Sequence, residues 1–215
     1  MNWTIPNLLS VLRVLAAPCV AIAFVLFDRP DADRIAILIF IAAAATDYLD
    51  GMLARALGQE SAFGRMLDPV ADKAMVIIAL AMILTLYDLQ WPIVVPAVLI
   101  ILREVLISGL REFLGDVKLP VTRVAKWKTT MQMFAIGLLL ARGAFLPDPA
   151  MGPVRSAIGR VFEIVGIGAG SLGLALLWIA AWFTIVSGVD YFIKGMPYIR
   201  EKEAAIPTLV AEVED

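Results

Sequence analysis

Four aspartates inside otherwise apolar segments carry the reactive chemistry of this chain: Asp47 and Asp50, then Asp68 and Asp72. The first pair is spaced i, i+3 and the second i, i+4. On helices each pair shares one face, about 5–6 Å apart. A charged side chain at membrane depth costs roughly 3 kcal/mol even on lenient insertion scales. Two like charges 4 Å apart repel by about 4 kcal/mol at an effective dielectric of 20. A counter-charge is therefore required, and a divalent cation is the simplest one. The donors on offer are oxygens, since the chain has no His and a single Cys, Cys19. Hard oxygen donors favour Mg²⁺ or Mn²⁺ over Zn²⁺. Three or four carboxylates suffice for one or two such ions, two being the expected number. Ions held that way clamp a pyrophosphate and stabilise a leaving phosphate. Gly51 and Ala54, on or beside the Asp47/Asp50 face, let a bulky ligand approach the backbone. Arg55 follows as a phosphate partner. The plain structural alternative is a set of buried salt bridges, but four aspartates within 26 residues, interleaved with Gly and Ala, exceed what packing needs.

The elements that must position these groups are membrane helices. Of 215 residues 61% are hydrophobic, and the mean hydropathy is +0.87, well above a soluble domain. We expect an all-α, polytopic integral membrane protein with one domain over 1–200 and an acidic, disordered cytoplasmic tail over 201–215. Apolar runs place six spans near 7–27, 35–57, 69–88, 93–114, 127–147 and 171–194. The second and fourth carry polar residues at one end, which points to a site at one membrane face. Thirteen of the eighteen Lys and Arg fall on the side of the Asp motif, which puts that motif and both termini in the cytoplasm. Asp28-Arg-Pro-Asp31 and Asp88-Leu-Gln-Trp-Pro92 read as turns, and Pro147-Asp-Pro149 ends the fifth span. Ser156 to Val165 reads as an interfacial helix. Gly166-Ile-Gly-Ala-Gly170 is either a flexible entry or a GxxxG helix contact.

Several classes drop out. A net charge of −2 gives no reason to expect nucleic acid. One Cys allows neither an intrachain disulfide nor a thiolate metal site. The missing His removes the commonest general base. Met1-Asn-Trp-Thr-Ile-Pro6 lacks the basic start of a cleavable signal peptide.

Asp47-x2-Asp50-Gly51-x2-Ala54-Arg55-x8-Gly64-x3-Asp68-x3-Asp72 resembles the full signature of the CDP-alcohol phosphatidyltransferase family, in all eight positions and their spacing. The resemblance implies transfer of a phosphatidyl or similar group from a CDP-linked donor to an alcohol, with release of CMP. It also implies six transmembrane helices, a metal site at the cytoplasmic face and a homodimer. Asp47, Asp50 and Asp68 would be metal ligands. Asp72 would be a further ligand or the base that deprotonates the acceptor hydroxyl. Gly51, Ala54 and Gly64 would accommodate the cytidine and Arg55 the pyrophosphate, with Asp47 in the same donor site.

The acceptor is read from a second group of charges. Arg103 and Arg111 are eight residues apart, about 800° of helix rotation, so they lie near one face about 12 Å apart. Arg123, Lys126 and Lys128 cluster before the fifth span. Such a basic pocket asks for an anionic acceptor such as sn-glycerol 3-phosphate or inositol phosphate, and does not suit serine, choline or ethanolamine. The competing reading is a rim touching lipid headgroups, which fits Lys118 and Arg123 better than Arg103 and Arg111. Four stretches resemble the bacterial inner-membrane members that use CDP-diacylglycerol and glycerol 3-phosphate: Ile5-Pro-Asn7 through Arg13, Arg103 through Glu112, Lys126 through Gln132, and Ser187-Gly-Val-Asp-Tyr191. Ser10 stands where that group has Thr and keeps the hydroxyl. Inositol-phosphate and cardiolipin-forming members are the nearest alternatives. A cation transporter is the alternative from another class. It needs carboxylates at mid-membrane, whereas these crowd one end.

Overall fold

The computed structural model describes residues 5–57, 62–115, 123–145 and 158–214, and every regular element among them is a helix. In chain order these are α1 (Ile5–Leu26), α2 (Asp31–Leu57), α3 (Ala62–Leu86), α4 (Trp91–Leu114), α5 (Arg123–Ala144) and α6 (Ile158–Glu214). The boundaries follow the punctuation of the sequence. The stretch 27–30 turns α1 into α2. Between α3 and α4, Asp88 and Leu89 both adopt φ 52°, and proline stands in the first turn of α4, where its missing N–H is no loss. Helix α4 stops at Gly115, whose φ of 62° suits a residue without Cβ and whose N–H donates to the Arg111 carbonyl at 3.1 Å. The Pro147-Asp-Pro149 turn lies outside the described residues.

Among the described residues, four helices contain stretches long and apolar enough to cross a membrane: Asn7–Leu26, Met66–Leu86, Trp91–Leu114 and Gly159–Glu201. Helices α2 and α5 occupy the second and fifth expected positions, but charges at both ends shorten their apolar middles. In α2 these are Asp31, Asp33 and Arg34 at one end and Asp47 through Arg55 at the other.

The last third of the chain departs from expectation. Instead of a separate interfacial helix, a glycine-rich entry and a disordered tail, α6 runs unbroken for 57 residues, about 85 Å at 1.5 Å per residue. Gly166 and Gly170 are helix interior and contact sites. A Cβ on Gly166 would stand 3.2 Å from the Arg142 carbonyl oxygen, and one on Gly170 2.7 Å from Arg142 Cδ. The small-residue spacing therefore brings α6 close to α5. In the tail, Glu-Lys-Glu-Ala-Ala extends a helix already nucleated, which removes the usual cost of starting one.

Helix α1 packs on α2 and α3, α5 packs on α2, α3 and α6, and α4 packs on α6 and α3. The shared core alternates small and large apolar residues, with Ala17, Ala79, Ala97 and Ala180 letting backbones approach and Leu80, Ile100, Leu139 and Leu177 filling between them. Large apolar side chains such as Val25, Leu38, Trp182 and Ile193 point outward and are mostly exposed, as lipid-facing residues are. Short turns make α1/α2 and α3/α4 antiparallel. One end of the bundle therefore collects the start of α1, the end of α2, the start of α3 and the end of α4.

Candidate active site

Three polar residues, Asn7, Ser10 and Arg13, are buried along one side of α1 in an otherwise apolar helix. Spaced by three, they form a stripe that α1 turns toward the aspartate helices. One Arg13 guanidinium nitrogen ion-pairs with Asp47 of α2 and lies 2.7 Å from an Asp72 oxygen of α3. One turn earlier, the Ser10 hydroxyl donates to Asp68 at 2.6 Å. The Arg13 side chain is 2% exposed, whereas the Asp47 and Asp72 side chains are 50% and 56% exposed. Arg13 thus holds one oxygen of each carboxylate from the buried side and leaves the rest of each group open.

A cavity of about 630 Å³ opens between α3, α4 and α5. Its walls carry Asp68, Asp72 and Lys73 from α3, Arg103, Glu104 and Arg111 from α4, and Lys128, Thr129, Thr130 and Gln132 from α5. Two of the four signature aspartates and three of the five expected acceptor cations thus face one space. The cations are held from behind by α6. Arg103 donates to the Ser187 hydroxyl at 3.4 Å, and the Arg111 guanidinium lies over the Tyr191 ring, 5.2 Å from its centroid. Ser187 and Tyr191 are one turn apart, so one face of α6 seats both arginines. Glu104 accepts from Lys128 and, at 3.3 Å, from Arg103.

The sequence-derived residues divide as follows. Asp47, Asp68 and Asp72 stand together around Arg13 and Ser10. Arg103, Arg111 and Lys128 line the cavity. Gly64 is buried on α3. Asp50, Gly51, Ala54 and Arg55 lie on the last turns of α2 and Arg123 and Lys126 on the first turn of α5, with side chains outside those described; Lys118 is outside the described residues altogether. Reading the sequence missed Arg13, Lys73, Glu104, Thr129, Thr130 and Gln132 as parts of the site. Lys73 counted only toward the topology bias, and Arg13 toward that bias and the stretch from Ile5, yet Lys73 adjoins Asp72 and Arg13 repeats the three-residue step of Asn7 and Ser10.

Among the described residues no three acidic, His or Cys side chains stand close enough to cage a metal ion. The donor chemistry nevertheless fits a hard divalent cation. Carboxylates from two helices converge on a single guanidinium nitrogen, a point that already holds positive charge, and all the donors are oxygens. Asp47, Asp68 and Asp72, with Asp50 on the same helix as Asp47, are the residues that would hold it.

A family model described as CDP-alcohol phosphatidyltransferase matches residues 3–186. A CDP-diacylglycerol–glycerol-3-phosphate 3-phosphatidyltransferase of Cereibacter sphaeroides is 47% identical, over 94% of this chain and 100% of that protein. Proteins of the same name from Haemophilus influenzae and Rickettsia bellii are 40% and 38% identical, each over 89% of this chain and over 92% and 95% of their own lengths. The aspartate signature, the cavity it borders and the match over most of the chain agree: this protein belongs to the CDP-alcohol phosphatidyltransferase family.

Proposed function

We propose that the chain transfers the phosphatidyl group of CDP-diacylglycerol to the 1-hydroxyl of sn-glycerol 3-phosphate, giving phosphatidylglycerol phosphate and CMP. The observation that carries this reading is the single cavity bordered by Asp68 and Asp72 on one wall and Arg103, Arg111 and Lys128 on the others. An anionic acceptor held by the cations has its hydroxyl within reach of the carboxylates. The relatives' shared name, with full-length coverage, points to the same acceptor.

The CDP group would lie along the last turns of α2 and the start of α3, where Gly51, Ala54 and Gly64 give room for cytidine and Arg55 meets the diphosphate. Arg111 and Lys128 would hold the acceptor's phosphate. Asp72 takes the proton of the 1-hydroxyl. That oxygen bonds to the β-phosphorus, the one bearing diacylglycerol. The bond from that phosphorus to the bridging oxygen breaks, and CMP leaves with the electron pair. Mg²⁺ or Mn²⁺, two ions in our reading, would when bound neutralise the diphosphate and its leaving oxygen. Arg13 and Ser10 keep Asp47, Asp72 and Asp68 oriented for that task.

Around this centre we propose six membrane-crossing helices in a bacterial inner membrane. Both termini face the cytoplasm on the thirteen-to-five Lys and Arg bias, and the chain pairs as a homodimer. The test is CMP release by purified protein from CDP-diacylglycerol with a panel of alcohols. Glycerol 3-phosphate should be the preferred acceptor and chelation should stop turnover. Equal rates with glycerol, or full rates in chelator, overturn the acceptor or the metal reading respectively.

A further inference from the structure

The expected basic pocket contains an anion of its own. Glu104 sits on α4 beside Arg103, and one of its carboxylate oxygens accepts from both the Lys128 ammonium and the Arg103 guanidinium. All three side chains are at most 15% exposed. Lys128 and Arg103 are thus gathered around a carboxylate oxygen much as they would gather around a phosphate oxygen. Arg103 is also tied to α6, where the Ser187 hydroxyl accepts from its other terminal nitrogen at 3.4 Å. Arg111, held over Tyr191, has no part in the Glu104 contact. The pocket therefore comes in two parts, an arginine on an aromatic face and a pair of cations already engaged.

Resting on the acceptor pocket proposed above, we infer that Glu104 is a specificity-determining residue. It is an internal anion that holds Lys128 and Arg103 until the acceptor's phosphate displaces it. Two buried cations side by side repel each other and are costly without a counter-charge. Glu104 supplies that charge while the pocket is empty. Any incoming anion has to outcompete a carboxylate fixed at contact distance. A phosphate monoester carries more charge and more acceptor oxygens than a carboxylate and succeeds. Chloride and simple carboxylates do not. The arrangement weakens acceptor binding, and in return the pocket stays clear of common weak anions.

The sign of this effect is opposite to that of an ordinary supporting residue. Glu104→Gln keeps the shape and a hydrogen-bond acceptor but removes the competing charge. The KM for glycerol 3-phosphate should fall by about tenfold, and the inhibition constant of inorganic phosphate should fall by a similar factor. Acetate, harmless to the wild type, should become an inhibitor. The donor KM should move much less than the acceptor KM. Glu104→Asp withdraws the carboxylate by one methylene and should lower the acceptor KM by a smaller factor, about threefold, which keeps the test alive if the Gln variant does not fold. An acceptor KM that is unchanged or raised in the folded variant overturns the inference. Lys128→Met and Arg111→Ala separate the two layers. If both raise the acceptor KM and Glu104→Gln does not lower it, only the role of Glu104 is wrong. If neither moves it, the acceptor pocket is misassigned and this inference falls with it.

Discussion

The two ends of the bundle use the same residue types to different effect. At the end away from the signature, Arg29 gives two nitrogens to the two oxygens of Asp33, at 2.7 and 3.0 Å, and Asp33 is fully buried. Arg34 donates to Asp31 at 2.7 Å and to the Ala144 carbonyl at 3.3 Å. Arg142 covers the Tyr87 ring, 4.9 Å from its centroid. The Tyr87 hydroxyl donates to the Leu139 carbonyl at 3.1 Å. Gly143 is pressed against Asp33 so closely that no side chain fits there. At the signature end the pairing is shared. One Arg13 nitrogen serves two carboxylates, and one Glu104 oxygen serves two cations. Asp47 and Asp72 stay half exposed, and Asp72 borders a cavity about three times the size of either space at the far end, about 630 Å³ against about 190 and 210 Å³. A fully buried carboxylate with both oxygens engaged by one bidentate partner is closed to an incoming ligand. A group shared between two partners keeps lone pairs or donors that a ligand can take over. The charges at the far end latch helices together, and those at the signature end are available for exchange.

The sharpest way to break this comparison is to remove one charge from each end. Asp47→Asn or Asp68→Asn should lower CMP release below about a hundredth, roughly 2.7 kcal/mol of transition-state stabilisation, with little change in melting temperature. A variant retaining a tenth of the rate is not missing an essential ligand. Asp33→Asn should do the reverse. It leaves Arg29 without its buried partner, at a cost to stability of about 1–3 kcal/mol, discounted because the Arg29 side chain is 41% exposed. Activity per folded molecule should hold. A catalytic loss in Asp33→Asn without a stability loss would make the far end functional and end the distinction.

How much of this was legible in the sequence depends on the range of the contact. The aspartate signature is local: its i, i+3 and i, i+4 steps fix the faces of α2 and α3 before any packing is known. The turn at 27–30 and the one at Asp88–Pro92 are local too, and both are where their Gly-free, Pro-bearing sequences put them. Arg13, by contrast, meets partners 34 and 59 residues away, and Ser10 meets Asp68 across 58. No spacing rule within α1 reveals which helix its polar stripe will face. The Arg29–Asp33 pair, by contrast, is local, four residues apart, and was passed over because a helix N-terminus already explains acidic residues there. The Ser187-to-Tyr191 stretch was noticed as a pattern, but its use in seating Arg103 and Arg111 becomes clear only when α6 lies against α4. The continuity of α6 was misread because its glycines look like breaks until α5 fills the space beside them.

Within the signature end, Arg111→Ala should raise the acceptor KM by about tenfold to a hundredfold, the loss of one charge-assisted hydrogen-bonding group at about 1.5–3 kcal/mol. The donor KM should move much less. Arg111→Lys should recover part of the loss, because the charge remains while the bidentate fork and its stacking on Tyr191 do not. Were glycerol to suffer as much as glycerol 3-phosphate, Arg111 would be supporting the fold of the pocket rather than binding phosphate.

The smallest effect contrasts two glycines, one at each end. Gly143 and Gly188 both stand where a helix backbone meets a charged side chain of another helix. A methyl at 143 would collide with Asp33, which is wholly buried and tied to Arg29, so Gly143→Ala should destabilise by about 1–3 kcal/mol as overpacking does. A methyl at 188 would come within 3.1 Å of Arg103 Cγ, but Arg103 lines an open cavity and has somewhere to go. Gly188→Ala should therefore leave the melting temperature within a degree or two and shift the guanidinium away from Ser187 and Glu104. The acceptor KM should change by only about twofold to fivefold, under 1 kcal/mol, with the donor KM fixed. Melting curves and acceptor titrations on the two variants, run side by side, check the pair. If Gly188→Ala unfolds the protein as readily as Gly143→Ala, Arg103 is a packed latch like Asp33, and the cavity walls are less free to exchange partners than their shared ion pairs imply.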